Sequence, residues 1–141
     1  QRQQGYVSRN AIKAVAAAIR CTTAEVEEVV SFYTMFYQRP VGRHVLQVCR
    51  TLSCALNGAE RVTEELQKVL GITPGNTTED GEFSLFEVEC LGACDRAPVV
   101  GVNDHWHECH KPEDAKALVD GLKATGVSTL TGCHLHKERA Q

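Results

Sequence analysis

Four cysteines in two pairs are the residues of this chain best suited to chemistry. Cys49 and Cys54 lie in CRTLSC with four residues between them, and Cys90 and Cys94 lie in CLGAC with three. Four thiolates are the usual ligand set of an iron–sulfur cluster. The same number can hold a structural zinc, whose paired cysteines have two to four residues between them, so spacing alone leaves zinc open. A two-iron, two-sulfur cluster is longer than one ion, and each pair would take one iron, with gaps of four and three letting the loops bend. The intervening Thr51, Ser53, Gly92 and Ala93 are small or hydroxylated. Such residues let backbone N–H groups approach the sulfurs, which stabilises a reduced cluster and tunes its potential. Ligand type and spacing favour iron–sulfur over zinc. A thioredoxin-type dithiol requires Cys-x-x-Cys at a helix N-terminus, a motif this sequence lacks.

The pairs lie far apart in sequence, so a fold must bring them together. Ser8 is placed to cap a first helix with a stripe of Ile12, Val15, Ala16 and Ile19. Thr22 and Glu25 read as a capping box opening a second helix, with Val26, Val29, Val30, Tyr33 and Phe36 as its stripe. These stripes read as core packing. Residues 38–42, containing Pro40, read as a linker. This sets a boundary between an N-terminal helical bundle (1–40) and a second domain (41–141). There, HVLQV (44–48) is a strand running into Cys49, and residues 57–70 are helical with Gly71 as the stop. FSLFEVE (83–89) is a strand running into Cys90. Residues 99–102 and 105–109 form a hairpin across Asn103-Asp104. A last helix begins near Pro112, with Ala115, Leu118, Val119 and Leu122 inward, and Gly126 follows its end.

Two strands joined across a helix should be parallel with a right-handed crossover. The expected fold is therefore α/β: a thioredoxin-like four-stranded mixed sheet flanked by helices, preceded by a small helical bundle. Parallel strands end on one sheet edge, where ligand sites of open α/β sheets lie. That topology brings Cys49 and Cys90 together.

Bulk properties narrow the function. The 141 residues carry a net charge of −3 and are 43% hydrophobic. With that net charge and no long run of one sign, the chain is not read as binding nucleic acid. No apolar run reaches the roughly 20 residues of a membrane span, so direct membrane insertion is not expected. Seven cysteines cannot all pair internally, which favours reduced or metal-bound thiols. The opening QRQQGYVSRN reads as the middle of a longer protein.

Other residues carry weaker signals. Cys109 and Cys133 bracket the last helix and are a candidate disulfide. Cys21 reads as a small buried apolar residue. His105, His107 and His110, and Cys133, His134 and His136, are incomplete metal sets, read as exposed imidazoles on a strand and as tail contacts. Arg50 and Arg96, beside ligands, are candidates to offset cluster charge, with solvated surface arginines as the plainer reading. Pro98 precedes the third strand, where thioredoxin folds often carry a cis proline. Trp106, Tyr33, Phe36 and Tyr37 read as core or interface.

VCRTLSCALNGA, followed by GITPGNTTEDGEFSLFEVECLGACDRAPVV, resembles the thioredoxin-like 2Fe-2S ferredoxin subunit of NADH:quinone oxidoreductase (respiratory complex I). Related subunits occur in NAD-linked hydrogenases and formate dehydrogenases. GYVSRNAIKAVAAAI and TTAEVEEVVSFYTMFY look like that family's helical bundle, so the resemblance covers essentially the whole chain. The family carries further helix upstream. The resemblance implies one 2Fe-2S cluster on Cys49, Cys54, Cys90 and Cys94, and an electron-transfer subunit of an NADH dehydrogenase complex that is not catalytic alone. It implies FMN and NADH on a flavin subunit as partner, contact with other peripheral-arm subunits, and a place peripheral to the inner membrane on the cytoplasmic or mitochondrial matrix side. The alternatives are the equivalent hydrogenase or formate dehydrogenase subunit, a free-standing ferredoxin, and a zinc-stapled interaction module.

Overall fold

The computed structural model describes residues 1–126. Its contacts fall into two compact units, Gln1–Val41 and a second beginning at Gly42.

The first unit is a helical hairpin. In α1 (Arg9–Ile19) the Ser8 hydroxyl accepts the Ala11 N–H at 3.2 Å. Helix α2 (Thr23–Phe32) opens on the complete capping box: Thr22 N–H donates to the Glu25 carboxylate at 2.8 Å, and Glu25 N–H to the Thr22 hydroxyl at 3.3 Å. Ile12, Ala16, Val26 and Val30 form its core. Val15, Ile19, Val29 and Tyr33, expected on the same stripes, remain exposed. A two-helix layer covers only a narrow strip of each helix. Helix α2 also ends at Phe32, earlier than the stripe suggested. Tyr33 is extended, and a turn from Phe36 N–H to the Tyr33 carbonyl brings Phe36 back onto the core. Cys21 is half-buried against the same cluster.

The second unit is a four-stranded mixed sheet in the order β2-β1-β3-β4. The strands are β1 (His44–Cys49), β2 (Phe83–Val88), β3 (Val100–Val102) and β4 (His105–His107). β1 and β2 are parallel, with His44 opposite Phe83 and Cys49 opposite Val88. β3 runs antiparallel to β1, and β4 closes a hairpin with β3. Asn103 takes a positive φ of 52° at the hairpin turn. The crossover holds two helices, α3 (Leu52–Leu56) and α4 (Ala59–Leu70), separated by Gly58 at a φ of 91°. Helix α5 (Asp114–Thr125) completes the unit, and Gly71 and Gly126 end α4 and α5 in the left-handed conformation. Val62 and Leu66 from α4, Leu118, Val119 and Leu122 from α5, and Leu46, Val48, Phe83 and Leu85 from the sheet share one core. Alternation along β1 and β2 and the 3.6-residue stripe of α4 and α5 both point into it.

One glycine fixes how β1 and β2 meet. Gly42 is buried, its N–H donates to the Ser84 hydroxyl at 2.7 Å, and a Cβ there would stand 2.6 Å from the Phe83 carbonyl carbon. Only glycine allows this approach.

The architecture is the thioredoxin-like mixed sheet expected, with three local differences. Cys90 lies two residues beyond the end of β2, not on its last residue. The single helix expected over 57–70 is α4, and the five-residue α3 precedes it. β4 stops at His107 because the chain turns toward the loop below it: Cys109, at a φ of 50°, donates its N–H to the Arg96 carbonyl at 2.8 Å, and His110 to the Pro98 carbonyl at 2.9 Å. The Ala97–Pro98 bond is cis.

Candidate metal centre

The parallel register places the first cysteine pair. Cys49 ends β1, and its N–H bonds the Val99 carbonyl at 3.1 Å, while Arg50 N–H adds one more bond to the Val88 carbonyl at 3.0 Å. The chain then turns into α3, which carries Cys54 inward. Cys49 and Cys54 are buried, 2% and 1% exposed. Cys90 and Cys94 stand on the opposing loop and are exposed, and Cys94 opens a single 3-10 turn, Cys94–Arg96.

The two loops interleave. The Thr51 hydroxyl lies 3.2 Å from the Cys49 sulfur and also favours the Cys90 thiolate, and the Ser53 hydroxyl favours that of Cys94. Gly92 N–H donates to the Cys90 sulfur at 3.3 Å, with Gly92 at a φ of 83°. Ala93 is a core residue packed under its loop. Two backbone groups had no signature in the sequence: Leu91 N–H favours the Cys49 thiolate, and Val99 N–H, just after the cis proline, favours that of Cys54. Backbone donors carry no residue-type signal, although the position after Pro98 was a usable pointer to the second.

Within each pair the first thiol is the better anion. Burial opposes ionisation of Cys49, but donors from Thr51, Leu91 and Cys54 together outweigh it and lower its pKa. Burial, and then the bond it gives to Cys49, push Cys54 up to about 11. Cys90 is lowered, first by Gly92 N–H and then by Cys94 and Thr51. Cys94 is raised, first by its bond to Cys90. Four neighbouring thiolates without a cation repel one another, so a bound cation is what would hold all four ionised.

The donor set bears on both metal readings. The Cys90 and Cys94 sulfurs are 3.5 Å apart. Tetrahedral bonds of about 2.3 Å place two sulfurs about 3.8 Å apart, so this pair needs little movement to share one ion. Among the described residues, no three His, Cys, Asp or Glu side chains gather closely enough to hold a single ion. Cys49 and Cys54 act on one another's ionisation as Cys90 and Cys94 do, and such pairing suits a group taking one pair at each end.

Both arginines expected to offset charge already have carboxylate partners. Arg50 Nη2 lies 2.7 Å from Glu89 Oε1, and Arg96 Nη1 lies 2.6 Å from Glu108 Oε1. Of the histidines, His105 is exposed and His107 half-buried, while His110 is buried. His110 has an unpartnered Nε2, and burial lowers its pKa to about 4. The reading of all three as exposed imidazoles fails at His110, because the turn after β4 carries it into the core. Trp106 is exposed beside the second loop, its ring tip 4.0 Å from the position of a Cβ on Gly92. Cys109 is not a free thiol. Its candidate partner Cys133, and the set Cys133, His134 and His136, lie outside the described residues.

A thioredoxin-like sheet carrying two interleaved cysteine pairs at one edge defines a class of small redox proteins. The chain belongs to the thioredoxin-like [2Fe-2S] ferredoxin family, whose model matches residues 1–123. It is 40% identical over 120 residues to a subunit of the NADH-quinone oxidoreductase of Pseudomonas aeruginosa, covering 85% of this chain and 72% of that protein. It is 44% identical over 125 residues to a subunit of the NADH-quinone oxidoreductase of Thermus thermophilus, covering 88% and 69%. Among solved structures, an NAD+-reducing [NiFe]-hydrogenase in the H2-reduced state superposes with a TM-score of 0.76 at 21% identity, over 88% of this chain and 22% of that one. A thioredoxin-like [2Fe-2S] ferredoxin from Aquifex aeolicus, in its Cys59Ser variant, gives 0.52 at 21% identity, over 61% and 92%. At such identities the two structures speak for the fold.

Proposed function

We propose that this chain is the electron-transfer subunit of an NADH-quinone oxidoreductase and holds one 2Fe-2S cluster on Cys49, Cys54, Cys90 and Cys94. The observation that carries the reading is the convergence of two cysteine pairs at one end of the parallel strands, Cys49 ending β1 beside Thr51 at 3.2 Å and Cys90 and Cys94 with sulfurs 3.5 Å apart on the loop after β2. When bound, the cluster supplies reversible one-electron chemistry at low potential. The chain's own part is to present thiolates, to aim Thr51, Ser53, Leu91, Gly92 and Val99 at their sulfurs, and to keep one end of the site dry. The partner is a flavin subunit carrying FMN and NADH, within a peripheral arm on the cytoplasmic or matrix side of the inner membrane. No helix among the described residues is long and apolar enough to cross a membrane. Relatives from such complexes at 37–44% identity favour this parent complex over a hydrogenase.

Co-expression with an NADH-binding flavin subunit tests the assignment. The two chains should co-purify, and anaerobic NADH should bleach the visible absorption of the iron–sulfur chromophore. A chain that loads its cluster but never co-purifies, and is reduced only by free donors, is a free-standing ferredoxin instead.

A further inference from the structure

The two ligand loops are joined outside the metal site by an ion pair. Arg50 follows Cys49, and Glu89 precedes Cys90. Both Nε and Nη2 of Arg50 donate to Glu89 Oε1, at 3.1 and 2.7 Å. The register makes this contact: Cys49 is opposite Val88, and the added bond from Arg50 N–H to the Val88 carbonyl carries the ladder one residue further. The pair spans the sheet edge from which both cysteine loops leave. A second carboxylate, Glu87 on β2, also acts on Arg50. The guanidinium therefore faces two anions, and only one of them is hydrogen-bonded to it.

We infer that Arg50 and Glu89 form a charge-neutral clasp that sets the midpoint potential of the proposed cluster, Arg50 masking Glu89 and Glu87, and Glu89 in turn cancelling most of Arg50. The inference rests on the ligation proposed above. Adding one electron to two ferric ions, two sulfides and four thiolates raises the formal charge from two negative to three, with no proton moved and no bond formed or broken. Any unmasked charge within a Debye length, about 10 Å at 0.1 M salt, therefore shifts the potential. Arg50 and Glu89 each adjoin a proposed ligand in the chain, and their ion pair joins the two loops that carry the cysteines. Their side chains are 60% and 72% exposed, so the effect is screened and depends on ionic strength.

The experiment is an EPR-monitored redox titration of the reconstituted full chain with dithionite as the one-electron donor, at low and high salt. R50Q, which uncovers Glu89 and Glu87 together, is expected to lower the midpoint potential. E89Q is expected to raise it by less, because Glu87 still faces Arg50. The double variant should lie between the two, and all shifts should shrink at high salt with unchanged g-values. A purely mechanical clasp would move both single variants in the same direction or alter the g-values, and either result overturns the inference, as does no shift in either variant. Parent protein without iron and sulfide would end the ligation reading and this inference with it. A loaded parent whose variants fail the sign pattern ends this inference alone.

Discussion

In both cysteine pairs the first thiol is the better anion and the second the worse, but the pairs differ in footing. Cys49 and Cys54 are rooted in regular structure, one ending the central strand and one on α3, and both are sealed in the core. Cys90 and Cys94 stand on a loop past the end of β2, open to solvent. The first pair is therefore positioned by the same packing that folds the domain. The second is positioned by local devices: the left-handed Gly92, its N–H on Cys90, the 3-10 turn, and the tether of Cys109 and His110 to Arg96 and Pro98. One end of the site is inseparable from the fold, and the other can be adjusted without disturbing it.

The largest expected contrast is chemical. In the reduced apo-protein at pH 8, iodoacetamide should modify Cys90 first and Cys54 last. A thiol moved from 9.0 to about 11 has roughly a hundredfold less thiolate there, before burial slows access further. Peptide mass spectrometry over time reads the order, and equal rates would erase the contrast. The same shift predicts a pH limb. Cys54 holds its proton in the folded state above the value for the unfolded chain. Its contribution is thus complete below about pH 9 and lost as pH rises toward about 11. Apo-protein melting temperature should fall across that window, and Cys54→Ala should flatten the fall.

Next in size is Gly42→Ala. The added methyl meets the Phe83 backbone, which cannot move without disturbing β2. A loss of about 2 kcal/mol is expected in urea unfolding, with both pairs affected because β1 and β2 carry both. Smaller again is the comparison of single deletions. Cys54→Ala in the apo-protein should lose about 1–2 kcal/mol to a core cavity. Cys94→Ala should stay within about 0.5 kcal/mol of the parent. Equal losses would mean that the loop pair is as deeply rooted as the strand pair.

Much of this contrast was legible in the sequence. The parallel β1–β2 pair, the capping box at Thr22 and the glycine stops at Gly71 and Gly126 all follow from periodicity and local chemistry. Both cysteine pairs were visible because the proposed ligation calls for particular residues at particular spacings. Less legible were features that depend on contacts distant in sequence. Helix α3 is too short to show a period. β4 ends where Cys109 and His110 find acceptors on Arg96 and Pro98. The acid partners of Arg50 and Arg96 lie 39 and 12 residues away. The donors Leu91 and Val99 act through backbone N–H groups that any residue would supply.

The central claim is that both pairs, buried and exposed, hold one two-iron, two-sulfur cluster. It is tested most directly by anaerobic reconstitution of the full chain with iron and sulfide, followed by metal and labile-sulfide analysis and EPR. The account predicts a red-brown protein with iron and sulfide in equal amounts, an EPR signal appearing after one-electron reduction, and loss of cluster loading when a cysteine of either pair is replaced by alanine. A colourless protein that retains zinc and no labile sulfide, or full loading after Cys90 and Cys94 are both replaced, would contradict it.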